Sequence, residues 1–332
     1  MGRIPSLDGV RAIAISLVVW GHWAETNFHS DIAGAYASLG RRIFFVLSGY
    51  LITMLLMRER DKTSTIQLKR FYVRRAYRIL PAAIVFLATV ILIHGHETRW
   101  YHLVAAGFYV VNFDFAPPWF IGHLWSVSVQ EQFYFLWPLT LKKWHRYRIP
   151  ILVAAIAFSP VYRIACHLLQ LHGRADRTFP AVADILAIGC LLALFEKRLP
   201  RVRARWALLM TVPLVSVPVY MGSLHFHITP GLLLLWWPAL HVSIAGLLLH
   251  VMQQPYRSLN LQPVAWLGKL SYGLYLWQQL FVFGPHQRPW FFTLLAVAAA
   301  GGSYYLIEQP MLRLREKQSP KRKPGQVLVP AA

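Results

Sequence analysis

The chain has 332 residues, of which 56% are hydrophobic and 14% charged, against about 45–50% and about 25% in ordinary globular proteins. That surplus excludes a water-soluble domain, while 34 Lys and Arg against 13 Asp and Glu leave a net charge of +21. The basic residues fall between apolar stretches rather than on a polar face, which points to membrane topology and away from a nucleic-acid partner.

A bilayer core of about 30 Å takes roughly 20 helical residues. Apolar segments that fit this ruler lie near 10–26, 43–57, 79–96, 100–115, 125–141, 149–170, 180–196, 205–222, 230–252, 265–285 and 290–309. With the N-terminus inside, the loop 58–78 is cytoplasmic and carries eight Lys/Arg. A full crossing at 100–115 would export the basic clusters at 142–148 and 197–205, contrary to the positive-inside tendency. If 100–120 dips in and returns to the outer side, 25 of the 34 Lys/Arg lie inside, and Arg41, Arg42, Arg99, Arg174, Arg177 and Arg288 lie outside. The expected architecture is therefore an all-α, polytopic membrane bundle of about ten transmembrane helices plus one re-entrant segment, in the cell's inner (plasma) membrane, with both termini cytoplasmic. The Pro117-Pro118 pair suits an irregular re-entrant stretch that protein must bury. Residues 1–316 form one membrane domain, and 317–332, with three prolines, reads as a disordered basic cytoplasmic tail.

Charged or titratable groups inside spans are costly and so mark candidate functional positions. Asp8 and Arg11, three apart, can pair on one helix face. Arg11 and His22 share a face but stand about 16 Å apart along the axis. Arg11 thus marks the inner edge of the membrane, and His22, beside Gly21, sits near mid-depth or beyond, where an imidazole suits a general base. The competing reading is a core histidine hydrogen-bonded between helices. In the loop RFYVRRAYRILP, before Pro81 opens the next span, Arg75 and Arg78 present two guanidiniums suited to phosphate oxygens; ordinary cytoplasmic anchoring accounts for them equally.

The stretch HLWSVSVQEQFYFLWP (123–138) places His123, Ser126, Ser128, Gln130, Glu131 and Gln132 at the outer end of a span. Arg163 and Asp184 are further buried-charge candidates and can pair with each other. The pairs His94/His96 and His225/His227 have the wrong spacing for a helical metal site and read as interfacial, and no metal site is expected. Cys166 and Cys190 both lie in apolar runs and form no disulfide framework.

Seven segments taken together resemble one family: SLDGVRAIAISLVVWGH, FFVLSGYLIT, FYVRRAYRILP, HLWSVSVQEQFYFLWP, ADILAIGCLLAL, LGKLSYGLYLWQQ and LIEQPMLRLR. They follow the order of acyltransferase family 3, the integral-membrane O-acyltransferases of polysaccharides, peptidoglycan, lipids and Nod factors. The resemblance covers about 3–315. It implies a cytoplasmic acyl-CoA donor, usually acetyl-CoA, no permanently bound cofactor, and an acceptor hydroxyl of an extracytoplasmic glycan or lipid. By position, the family's first-span Arg and His fall on Arg11 and His22, and its RxxR on Arg75 and Arg78. Two departures stand out: Gln130, beside Glu131, where the family often has Glu, and Gln278 where it often has His. Successive helical residues point about 100° apart, so Glu131 is not an automatic substitute for Gln130.

On this reading His22 takes the acceptor's proton, the carboxylate or amide of Glu131 or Gln130 assists, Ser126 or Gln130 steadies the oxyanion, and Arg11, Arg75 and Arg78 hold the donor's phosphates. An acyl-enzyme on Ser48 or Ser271 is the covalent variant. The other function class is a polytopic transporter of a sugar or anionic lipid, with His22, Arg163 and Asp184 along its pathway.

Overall fold

In the computed structural model, residues 6–114, 116–171, 177–223 and 236–318 are described. Arg3, Arg174, the His225/His227 pair and the tail from residue 319 lie outside them. Among the described residues there is no β-strand. The helices with which the site is built are α1 (Leu7–Phe28), α2 (Asp31–Thr63), α3 (Leu68–His94), α4 (Trp100–Gly107), α5 (Trp119–Gly122), α6 (Leu124–Lys143), α7 (Arg148–Leu168), α8 (Phe179–Phe195), α9 (Ala204–Ser223), α10 (Trp237–Gln253), α11 (Gln262–Lys269) and α12 (Ser271–Val282). A further helix, Phe292–Ser303, continues through a π-helical turn, Tyr304–Glu308, into Gln309–Gln318.

Four of these stretches, Asp31–Thr63, Leu68–Glu97, His145–Leu168 and Ala204–Ser223, are long and apolar enough to cross a membrane. The first is mostly buried inside the protein, whereas the other three turn apolar faces outward. Leu92 is 85% exposed and Leu208 70%, a surface that suits hydrocarbon and not water. By contrast α4, with eight residues, is about 12 Å long and cannot span the bilayer core. It gives way to a 3-10 turn at Val111–Phe113 and then to the four-residue α5, an irregular backbone of the kind expected for 100–120.

Two boundaries differ from the expectation. The second helix begins at Asp31, capped by the Ser30 hydroxyl accepting from the Ala33 N–H at 3.3 Å, so Arg41 and Arg42 stand within it rather than in an outer loop. The apolar run starts later because the two arginines interrupt it. Likewise α3 begins at Leu68 and runs through Pro81, which places Arg74, Arg75 and Arg78 on a helix and not in a preceding loop. A proline there removes one N–H from the ladder but need not end a membrane helix whose neighbours satisfy the freed carbonyl. The segment 265–285 is also broken, with Leu270 separating α11 from α12.

Small residues let α2 serve as the central post. Gly21 of α1 faces Ala33 and Ala37, while Gly40 faces Ala14 and Val18, the descending order of an antiparallel pair. On its other side Gly49 meets the Leu186 carbonyl, and Gly189 of α8 meets the Val46 carbonyl. Close backbone approach of this kind drives helix association where lipid supplies no hydrophobic contrast. Two apolar cores result. One joins α2 to α7, α8 and α10, and the other joins α1, α3 and α12 to the irregular 100–122 region. The site lies where they meet.

Candidate active site

His22 is buried and held from both ring nitrogens. Its Nδ1 lies 3.1 Å from Gln278 Oε1, and its Nε2 lies 3.2 Å from Arg41 Nη1. An amide oxygen and a guanidinium leave one consistent tautomer: Nδ1–H donates to Gln278, and Nε2 accepts from Arg41. Gln278 is itself fixed, since its Nε2 donates to Gln279 Oε1 at 3.1 Å, and Gln279 Nε2 donates to the Trp119 carbonyl at 2.9 Å. A relay of amides therefore ties the imidazole of α1 to the short helix α5. Phe283 lies against the ring at 5.4 Å between centroids.

Two cavities lie beside this histidine, which lines the larger of them; Arg41, its Nε2 partner, borders both. The larger one, which the expected topology makes the outer cavity, is about 510 Å³ and is lined by His22, Glu25, Arg41, Trp119, Trp125 and Trp237, among others. His123 also lines it; the His123 Nε2–H donates to the Leu276 carbonyl at 3.1 Å, and its buried Nδ1 has no partner among the described residues. The inner cavity, about 110 Å³, is a narrow slot bordered by Arg11, Arg41, Arg75, Arg78, Ser48 and Gln130. Four guanidiniums thus border one slot; Arg41 is bonded to His22, and Arg11, Arg75 and Arg78 make a charge-assisted setting for phosphate oxygens.

The inner arginines are preset by neighbours. Arg11 pairs with Asp8 at 3.4 Å, the i,i+3 contact expected from spacing. Arg75 is gripped by Glu131 through two bonds, 3.0 Å from Nε to Oε2 and 2.6 Å from Nη2 to Oε1, and its guanidinium lies 3.2 Å from the centre of the Tyr134 ring. Glu131 is therefore directed at Arg75 and away from His22. Gln130, one residue earlier, points into the slot and donates from Nε2 to Ser48 Oγ at 3.2 Å. The 100° between successive positions separates the two side chains as helix geometry requires. Ser126 also borders the slot, bonded to the Tyr275 hydroxyl at 2.6 Å, and Ser271 stands at the same wall.

Arg163 and Asp184 do pair, at 2.9 Å, but outside both cavities. Arg163 also donates to the Ala181 carbonyl at 2.6 Å, and Asp184 Oδ1 accepts from the Ile185 N–H at 2.9 Å. His241 Nδ1 stands 3.4 Å from Asp184 and its Nε2 accepts from Arg42 at 2.8 Å. The guanidiniums of Arg42 and Arg163 both lie over Trp237, at 4.2 and 4.8 Å from the ring centre. This cluster joins α2, α7, α8 and α10 and buries its charges with partners, as low-dielectric surroundings demand.

A family model described as an acyltransferase domain matches residues 4–308. The chain belongs to this acyltransferase family. A peptidoglycan O-acetyltransferase of Listeria monocytogenes is 30% identical over 317 residues, covering 82% of this chain and 48% of that protein. A putative peptidoglycan O-acetyltransferase of Bacillus subtilis is 29% identical, over 93% of this chain and 55% of its own length. A putative O-acetyltransferase of Staphylococcus aureus is 40% identical over 179 residues, 45% of this chain and 27% of its own. The chain thus spans about half the length, or less, of these relatives. No solved structure matches it. Family membership sets the transporter reading aside.

Sequence reasoning missed Arg41, which it placed in a loop, and the amide relay through Gln278 and Gln279. The double arginine at 41–42 was the available signal, because two cations flanked by apolar residues call for buried partners.

Proposed function

We propose that this protein is a membrane O-acyltransferase that moves an acyl group, most simply acetyl, from acyl-CoA to a hydroxyl of an extracytoplasmic glycan. The observation that carries the proposal is His22, with a fixed tautomer, in a tryptophan-lined cavity and bonded to Arg41, which also borders the arginine-lined slot. Arg11, Arg75 and Arg78 hold the pyrophosphate and 3′-phosphate of coenzyme A at the cytoplasmic end. Its extended pantetheine arm runs up the slot past Ser48 and Gln130 and brings the thioester to the level of His22. The span from Arg11 to His22, about 16 Å along α1, suits that arm.

The acceptor hydroxyl enters through the outer cavity, whose indole faces suit sugar rings. The His22 Nε2 removes the hydroxyl proton as the oxygen attacks the thioester carbonyl carbon. The C–S bond then breaks, and the thiolate takes the proton back from Nε2. General-base help of this kind contributes about 10²–10⁴-fold. The names of the relatives favour a cell-wall glycan as acceptor, and the excess of Lys and Arg in the loops read as cytoplasmic favours both termini in the cytoplasm.

The test is a purified preparation in lipid nanodiscs given acetyl-CoA and glycan fragments, with thiol release followed by absorbance and products by mass spectrometry. Acetylated glycan and stoichiometric thiol support the proposal. Neither product under conditions that preserve the fold rejects it.

A further inference from the structure

The resting site has a contradiction in it. The base that the reaction needs has its only free lone pair, on Nε2, already accepting a hydrogen bond from Arg41. With Nδ1–H committed to Gln278, His22 cannot receive a proton until that guanidinium moves. Arg41 is suited to move. It sits on α2 one turn beyond Ala37, which Gly21 of α1 touches, its guanidinium lies over Trp125 at 5.8 Å, and it borders the donor slot as well as the outer cavity. A guanidinium carries five N–H donors and stays charged at any working pH.

We infer that Arg41 is a donor-sensing catalytic residue: it caps His22 when the slot is empty and passes to the thioester carbonyl oxygen when acyl-CoA arrives. This rests on the acyl-transfer reading above. Release of Nε2 then coincides with arrival of the electrophile, and a hydroxyl in the outer cavity meets an active base only with a donor in place. As the acceptor oxygen bonds to the carbonyl carbon, the C=O electron pair moves onto oxygen and is held by Arg41. When the C–S bond breaks that pair re-forms the carbonyl, the thiolate leaves with the proton from Nε2, and Arg41 returns to His22. A thioester and an alcohol become an ester and a thiol, with no further reactant.

The experiment uses the full chain in nanodiscs, comparing wild type, Arg41→Gln and Arg41→Lys. Diethyl pyrocarbonate modifies unprotonated, accessible imidazole nitrogens, and peptide mapping by mass spectrometry reads modification at His22 alone. Without donor, Arg41→Gln is expected to react at His22 at least about tenfold faster than wild type, the equivalent of one lost hydrogen bond. In turnover, Arg41→Gln is expected to lose about 10²–10³ in kcat, the usual cost of an oxyanion donor, with the affinity for coenzyme A unchanged. Arg41→Lys keeps a cation without the planar fork and is expected to fall between the two, which also covers a Gln variant that fails to fold. Equal His22 reactivity in wild type and both variants, or an unchanged kcat, overturns the inference. A wild type that transfers no acyl group rejects the proposed function instead, while the modification rates still report whether Arg41 caps the ring.

Discussion

The Nδ1–H of His22 donates to the side-chain oxygen of Gln278 across 3.1 Å, joining α1 to α12. An amide can orient an imidazole as a carboxylate does, but it offers less to the imidazolium that forms during proton transfer. Replacing His22 with Ala is expected to lower acyl transfer per folded molecule by about 10²–10⁴-fold, with the protein still folded though somewhat less stable for the partners left unpaired. Gln278→Leu removes the orienting bond and the bond to Gln279 but leaves the base in place, so the loss should stay near tenfold, the value of the one hydrogen bond to His22. Thiol-release kinetics on both variants check this; full activity in His22→Ala removes it as the base.

A second prediction concerns the donor's phosphates. Arg75→Ala and Arg78→Ala each remove a charge-assisted contact worth about 1.5–3 kcal/mol, so KM for acyl-CoA should rise at least about tenfold while kcat changes little. Glu131→Gln, which loosens Arg75 without touching the slot, should raise the same KM less. Initial rates at saturating acceptor separate these effects, and an unchanged KM in all three removes the phosphate assignment.

Stability is expected to depend on Asp184. Removing it leaves Arg163 buried without its carboxylate, and breaking a buried pair costs about 3–5 kcal/mol. Asp184→Ala should unfold well below wild type in detergent, whereas Asp184→Asn keeps acceptor oxygen for Arg163 and should lose less. Whatever folded protein remains should keep its turnover number, because Asp184 and Arg163 border neither cavity. Melting curves with activity per folded molecule decide it.

Packing at Gly49 supplies a fourth test. A Cβ there would run into the Leu186 carbonyl, a backbone atom that cannot step aside. Gly49→Val should therefore abolish a monodisperse peak in size-exclusion chromatography. Ser48→Ala next to it should leave the fold intact and, for direct transfer, keep activity within about tenfold, the value of its one bond to Gln130.

These residues show what the sequence discloses and where it stops. Hydropathy located most helices, since burial in lipid depends on local composition. It placed the start of α2 late because Arg41 and Arg42 interrupt the apolar run, and it ended a loop at Pro81 that is helix. The Asp8–Arg11 contact and the divergence of Gln130 from Glu131 follow from helical periodicity alone, and Arg163–Asp184 from the need to pair buried charge. The proximity of Arg41 to His22 depends on the register of α1 against α2, set by Gly21 meeting Ala33 and Ala37. Gln278 reaches His22 from a distant part of the chain. Neither contact has a local signature.

The bond between Arg42 and His241 carries a consequence for how the protein is made. The two residues are 199 positions apart, so at about 5–20 residues per second the ribosome needs about 10–40 s to deliver the histidine after the arginine. During that interval a helix bearing two guanidiniums, each disfavoured in lipid by up to about 2.5–3.5 kcal/mol, has no finished home. The insertion machinery must shelter it beside the first helix until the tenth emerges, and a chain that stalls in between is a natural target for quality-control proteolysis.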